Sequence, residues 1–104
     1  MESSGWVAVR CVFESEVDGT RTFEERVTIW RVPDVAAGIQ LAENEALEYA
    51  EMVDASYTGL AQGYVLGDPI DHGAEVFSLM RDSDLATEQY LDRYFDTGAE
   101  RQSR

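Results

Sequence analysis

Apolar and polar positions alternate along residues 6–13, where Val7, Val9, Cys11 and Phe13 share one face and Trp6, Ala8, Arg10 and Val12 the other. A period of two is the mark of a strand. Residues 23–32 repeat it, with Phe23, Val27 and Ile29 sharing a face with Glu25, and Glu24, Arg26, Thr28 and Trp30 on the opposite face. The two runs read as a β-hairpin. Its register follows from face matching: the apolar faces coincide only if odd-numbered residues oppose odd-numbered ones. A three-residue loop of Val17, Asp18 and Gly19, with Gly19 left-handed in a bulge, achieves this, whereas a two-residue Asp18-Gly19 loop crosses the faces. The expected pairs are therefore Val9 with Val27, Val7 with Ile29 and Phe13 with Phe23 on the core side. Trp6 with Trp30 and Arg10 with Arg26 follow on the other side.

Between the strand pairs, Val35, Ile39, Ala42, Ala46, Tyr49 and Val53 recur at spacings of four and three, which predicts an amphipathic helix over residues 33–55. Pro33 suits the first turn, where its missing N–H has no partner to lose. Asp34 sits well against the helix dipole. The opposite face carries Gln40, Glu43, Glu48, Glu51 and Asp54, with Glu45 on the flank.

Residues 57–66 and 74–81 read as a second strand pair, in which Gly59 and Gly63 mark a bulge or a close backbone contact. Residues 67–73 form a long connection holding His72. Asp82, Ser83 and Asp84 offer cap chemistry for a short helix with Leu85, Tyr90, Leu91, Tyr94 and Phe95 as its stripe, closed by Gly98. The expected architecture is an α+β domain over residues 6–98 in the order ββαββα. It is a four-stranded, mostly antiparallel sheet packed on one long helix, with a short C-terminal helix; residues 1–5 and 99–104 are expected as loose tails.

Composition narrows the function classes. The chain has 104 residues, a net charge of −13 and no lysine, every basic side chain except His72 being arginine. Such a balance repels phosphate backbones and anionic lipid surfaces, so neither nucleic acid nor membrane is an expected partner. The single cysteine cannot form an internal disulfide, and no leader pattern or apolar run of spanning length is present, which gives a cytoplasmic expectation.

The segments at residues 6–13, 23–30 and 73–85, the last reading Gly-Ala-Glu-Val-Phe-Ser-Leu-Met-Arg-Asp-Ser-Asp-Leu, together with residues 90–98, resemble a group of short bacterial domains of unknown function. The resemblance spans about residues 6–98. It implies a stand-alone cytoplasmic bacterial domain and assigns no activity and no site residue.

Candidate chemistry is sparse. His72 beside Asp71 and Asp68 lacks the ligand number of a zinc site, and no nucleophile is placed next to it. Cys11 lies on the inner face of its strand as a core residue. Glu25 falls on the expected core face, where Arg81 is its expected partner. Trp6, Arg10, Arg26 and Trp30 form one outer face of the hairpin, of the residue types enriched at binding hot spots, which either the C-terminal helix covers through Tyr90, Leu91, Tyr94 and Phe95 or a second copy or a partner meets. No catalytic residue, metal ligand or cofactor is assigned. The expectation is a non-enzymatic protein-interaction or regulatory module, pairing with a second copy or with a basic protein. The alternative is a small-molecule-binding protein or minor enzyme using a Glu25, Arg81 and His72 pocket.

Overall fold

The computed structural model describes residues 5–102, so of the tails expected at residues 1–5 and 99–104, residues 1–4 and 103–104 lie outside the described residues. Strands β1 (Gly5–Val17) and β2 (Thr20–Val32), of 13 residues each, form an antiparallel hairpin. The loop between them has two residues, Asp18 and Gly19, with φ of 52° and 80°. Two consecutive left-handed residues make the turn whose twist matches the flanking strands, and Asp-Gly is a preferred sequence for it. Pairing then runs without a shift from Val17 opposite Thr20 to Gly5 opposite Val32.

This overturns the expected three-residue loop and its register. Val9 faces Thr28, Val7 faces Trp30, Cys11 faces Arg26 and Phe13 faces Glu24. Turn geometry prevailed over face matching, because a two-residue turn at Asp18 and Gly19 fixes the pairing and with it the face of every β2 side chain. The consequence is that Phe23, Val27 and Ile29 lie on the face away from the core.

Helix α1 (Val35–Met52) begins and ends inside the expected 33–55 range. Asp34 is its N-cap, accepting a 2.8 Å hydrogen bond from the Ala37 N–H, and Val53 closes it with its N–H on the Tyr49 carbonyl. Strand β3 (Ser56–Val65) pairs antiparallel with β1, giving the sheet order β2-β1-β3. Between Cys11 and Phe13 the β1/β3 register shifts, and Gly59 at φ 91° supplies the bulge; the Thr58 hydroxyl donates to the Val12 carbonyl at 2.9 Å.

The core lies between α1 and the central strand. Val7, Val9, Cys11 and Phe13 of β1 meet Ala42, Ala46 and Ala50 of α1, with Val32 at one end. Phe13 stacks edge-on to Tyr49 at 5.1 Å and tilts against Tyr57 at 5.6 Å. Small residues at four-residue spacing bring the helix close. A Cβ built on Gly38 would stand 2.8 Å from the Val7 Cγ1, and one on Gly63 would stand 2.6 Å from the Val35 Cγ1. Both glycines are therefore set by close approach.

The chain beyond β3 departs further from expectation. Among the described residues, 74–81 pair with no strand, the sheet has three strands and the order is ββαβα. This segment instead lays Phe77 against Tyr64 at 6.0 Å on the outer face, with the Tyr64 hydroxyl bonded to Glu75. Helix α2 (Thr87–Tyr94) starts after Ala86 rather than from the expected Asp82, Ser83 and Asp84 caps. Ser83 accepts from the Leu85 N–H at 3.1 Å one turn earlier. The rings of α2 contact each other, Tyr90 with Tyr94 at 4.7 Å and with Phe95 at 5.9 Å, and no residue of α2 is buried. Among the described residues no helix is long and apolar enough to cross a membrane.

Gly38→Ala gains about 1 kcal/mol of helix propensity but forces a methyl into the buried Val7, a clash of the overpacking kind that costs 1–3 kcal/mol. The expected net effect is a loss of about 1 kcal/mol by chemical denaturation, and the cost of Gly38→Ala should be smaller when it is measured in a Val7→Ala background. A Gly38→Ala chain as stable as the parent would show that α1 can move off β1 at no cost.

Candidate functional site

The hairpin register divides the expected aromatic and arginine face between two sides of the sheet. Trp6 and Arg10 lie on the outer side, and Trp30 and Arg26 on the helix side. Trp30 packs against the core and donates its indole N–H to the Thr28 hydroxyl at 2.7 Å. Trp6 carries the Arg31 guanidinium over its ring at 5.7 Å. Arg10 bonds Gln62 of β3, pairs with Glu25 at 3.1 Å and lies over Phe77 at 5.3 Å. The four residues do not form one surface.

Glu25 is on the outer side, largely exposed, and its partner is Arg10 in place of the expected Arg81. Arg81 stands over the Tyr94 ring at 4.7 Å and reaches the Tyr90 hydroxyl at 3.5 Å. His72 is exposed on the connection after β3, its backbone N–H held by the Asp71 carboxylate at 2.7 Å. No common pocket gathers Glu25, Arg81 and His72. A cavity of about 370 Å³ does include Arg81, together with Ser83, Leu85, Thr87, Tyr90 and Leu91, but neither Glu25 nor His72 lines it. Among the described residues no group of three or more metal-ligating side chains converges.

The helix side of β2 carries a polar network that the sequence pattern did not foreshadow. Arg26 forms two parallel hydrogen bonds to the Glu45 carboxylate, at 2.8 and 2.9 Å, and lies 3.8 Å over the Tyr49 ring. Tyr49 donates its hydroxyl to Glu24 at 2.7 Å. Hydrogen bonding from Arg26 holds the Glu45 carboxyl below its ordinary value, and the same contact keeps Arg26 more firmly protonated. On the other flank of α1, Tyr57 donates to Glu43 at 2.6 Å. Burial and that bond push the Tyr57 hydroxyl upward, and burial likewise raises the Cys11 thiol. Both groups are held protonated, which is the opposite of nucleophile activation.

The outer side of β2 is the feature of a different kind. Phe23, Val27 and Ile29 are 55%, 43% and 39% exposed in a row along one strand. Among the described residues β2 pairs with β1 alone, so its other side is an open edge. Residues 74–81 shield the β3 side of this face through Phe77; on the β2 side Phe23, Val27 and Ile29 stay exposed, and toward the turn Phe23 and Glu25 share the rim of a hollow with Thr97 and Glu100. Face matching had assigned these three residues to the core. The signal that would have exposed them is Asp18-Gly19, a strong hairpin dipeptide between alternating runs.

A scan against protein-family models finds no match for the chain, and searches of curated proteins and of solved structures find none. The functional reading therefore rests on geometry.

Because the Glu45 pKa is lowered on folding, its stabilisation is present above the ordinary carboxylate value of 4.5 and is lost as pH falls through the lower folded value. Glu45→Gln is expected to cost about 1 kcal/mol at neutral pH, as for a partly exposed bidentate pair. The difference from the parent should shrink as denaturation is repeated at falling pH. A difference independent of pH would mean that the carboxylate charge contributes nothing.

Proposed function

We propose that this chain is a non-enzymatic protein-interaction module that offers the β2 edge, with its apolar row, to a strand of another polypeptide. The observation that carries the reading is the exposed row of Phe23, Val27 and Ile29 beside an unpaired strand of 13 residues. Exposed apolar surface of this kind, joined to unsatisfied backbone groups, is what strand addition uses.

The two edges of the sheet are treated differently, which supports the choice of β2. Edge strands are ordinarily blunted by bulges, proline, shortness or charged side chains. The β3 strand has a bulge, a left-handed Gly59 and a second glycine at position 63. The β2 strand is long, has neither bulge nor proline and keeps an unbroken register along its whole length; the charges on its outer face, Arg21, Glu25 and Arg31, are of both signs and can be met by a partner's. The resemblance to short bacterial domains adds a cytoplasmic bacterial setting to the proposal without adding an activity. Uncompensated carboxylates on α1, among them Glu48 and Glu51, disfavour acidic partners and leave basic proteins or a local contact confined to β2.

Val27→Arg sets a second arginine opposite Arg10 on the outer face, so a loss of up to about 1 kcal/mol is expected with the fold retained. Every complex the chain forms, with itself or with a purified partner, should be lost when its mass is followed by light scattering. A Val27→Arg chain that keeps those complexes would overturn this reading.

A further inference from the structure

The free edge of β2 constrains its partner more tightly than exposure alone suggests. In a hairpin closed by a two-residue turn, the residues flanking the turn exchange both hydrogen bonds, and hydrogen-bonded pairs then alternate along the ladder. With Val17 opposite Thr20, the residues of β2 that bond to β1 are Thr20, Thr22, Glu24, Arg26, Thr28, Trp30 and Val32. Those that direct their N–H and C=O outward are Arg21, Phe23, Glu25, Val27, Ile29 and Arg31. The alternation is confirmed on the far side of β1, where the Trp6 carbonyl accepts from the Leu66 N–H at 2.9 Å. The outward-bonding residues are thus also the ones whose side chains form the exposed face.

A second β2 strand can add antiparallel only if outward-bonding residues oppose outward-bonding residues, so the allowed registers step by two residues. A two-fold axis at Glu25 would place Glu25 against itself, and one at Arg26 would place Arg26 against itself and Arg21 against Arg31. An axis at Val27 sets Glu25 against Ile29 and Phe23 against Arg31. An axis at Thr28 is different: Glu25 faces Arg31, Val27 faces Ile29, Arg26 faces Trp30, and each pair occurs twice. No like charges meet, and the row's apolar and charged positions complement themselves. The next outward pair would be Phe23 with Pro33, and proline has no N–H to donate, so the ladder ends there.

We infer that a second copy of this chain is the occupant of the β2 edge, joined antiparallel about Thr28 to make a continuous six-stranded sheet with Glu25 facing Arg31 across the axis. This rests on the interaction-module reading and names its partner. About eight backbone hydrogen bonds form in this register, two for each of four outward-bonding pairs. The geometry leaves room for both helices, which lie on one side of the joined sheet. The central strands of the two copies stand three spacings apart, about 14 Å, against a helix diameter of 10–12 Å. In each copy Val35 sits against Gly63, which places the start of α1 over the β3 side, away from the axis, while its later turns lean toward β2 through Glu45 and Tyr49, so the strand spacing is what keeps the two helices apart. The net charge of −13 on each chain opposes association at low salt and is screened beyond about 8 Å at physiological ionic strength.

Sedimentation of the full chain at physiological salt, from about 1 μM to about 1 mM, is expected to show conversion from one-chain to two-chain mass. Glu25→Arg alone sets arginine against Arg31, and Arg31→Glu alone sets glutamate against Glu25, so each should associate at least tenfold more weakly than the parent. An equimolar mixture of these two variants restores opposite charges at both contacts and should recover the two-chain mass. In a Cys11→Ala background, Thr28→Cys should form an intermolecular disulfide under oxidised glutathione, and Val27→Cys should not, because only position 28 faces itself. A parent chain of single-chain mass throughout, or a mixture that does not associate, overturns self-pairing. If a complex with another protein then proves sensitive to Val27→Arg, the interaction-module reading survives; if no such complex forms, both readings fall together.

Discussion

A two-residue turn leaves a hairpin no freedom of register, and nearly everything distinctive in this protein follows from that constraint. Once Asp18 and Gly19 adopt consecutive left-handed conformations, Val17 must oppose Thr20 and each later pair is fixed. Fixing the pairs fixes the faces, since side chains alternate across the sheet. Arg26 and Trp30 are thereby committed to the helix side, and Phe23, Val27 and Ile29 to the other.

The helix side can accept such residues because β2 lies at the margin of the core. Directly over β1, α1 presents Gly38, Ala42, Ala46 and Ala50, so valine, cysteine and phenylalanine fill a thin interlayer space. Over β2 the contact is made by the flank of the helix, where Glu45 and Tyr49 project. Long amphipathic side chains suit that margin: Arg26 covers the Tyr49 ring while its guanidinium stays bonded to Glu45. No buried side-chain nitrogen or oxygen among the described residues is left without a partner.

On the outer side the same parity leaves apolar surface that only part of the chain covers. Residues 74–81 and Arg10 close over the β3 half through Phe77 and Tyr64. The β2 half keeps three exposed apolar side chains beside unpaired backbone, which makes it the surface with the most to gain from a partner. The site residues expected from composition were drawn to aromatic and arginine positions because those types recur at interfaces, yet the fold spends Arg26 and Trp30 on packing the helix to the sheet.

Local signals determined the elements. Alternation in residues 6–13 and 23–32, the recurrence from Val35 to Val53 and the glycines at 59 and 63 each report a backbone preference or a near neighbour, so the hairpin, the helix and the bulged strand were legible in the chain. Asp18-Gly19 was legible too, and its local conformational preference was the stronger guide to register than the distribution of apolar residues. Tertiary structure decided what no local pattern encodes: that residues 74–81 lie across the sheet without joining it, that α2 is left unburied, and that Glu25 pairs with Arg10 and not with Arg81. These outcomes depend on which surfaces remain after β1 has been sandwiched between two strands and a helix, and that remainder exists only once the layers have packed.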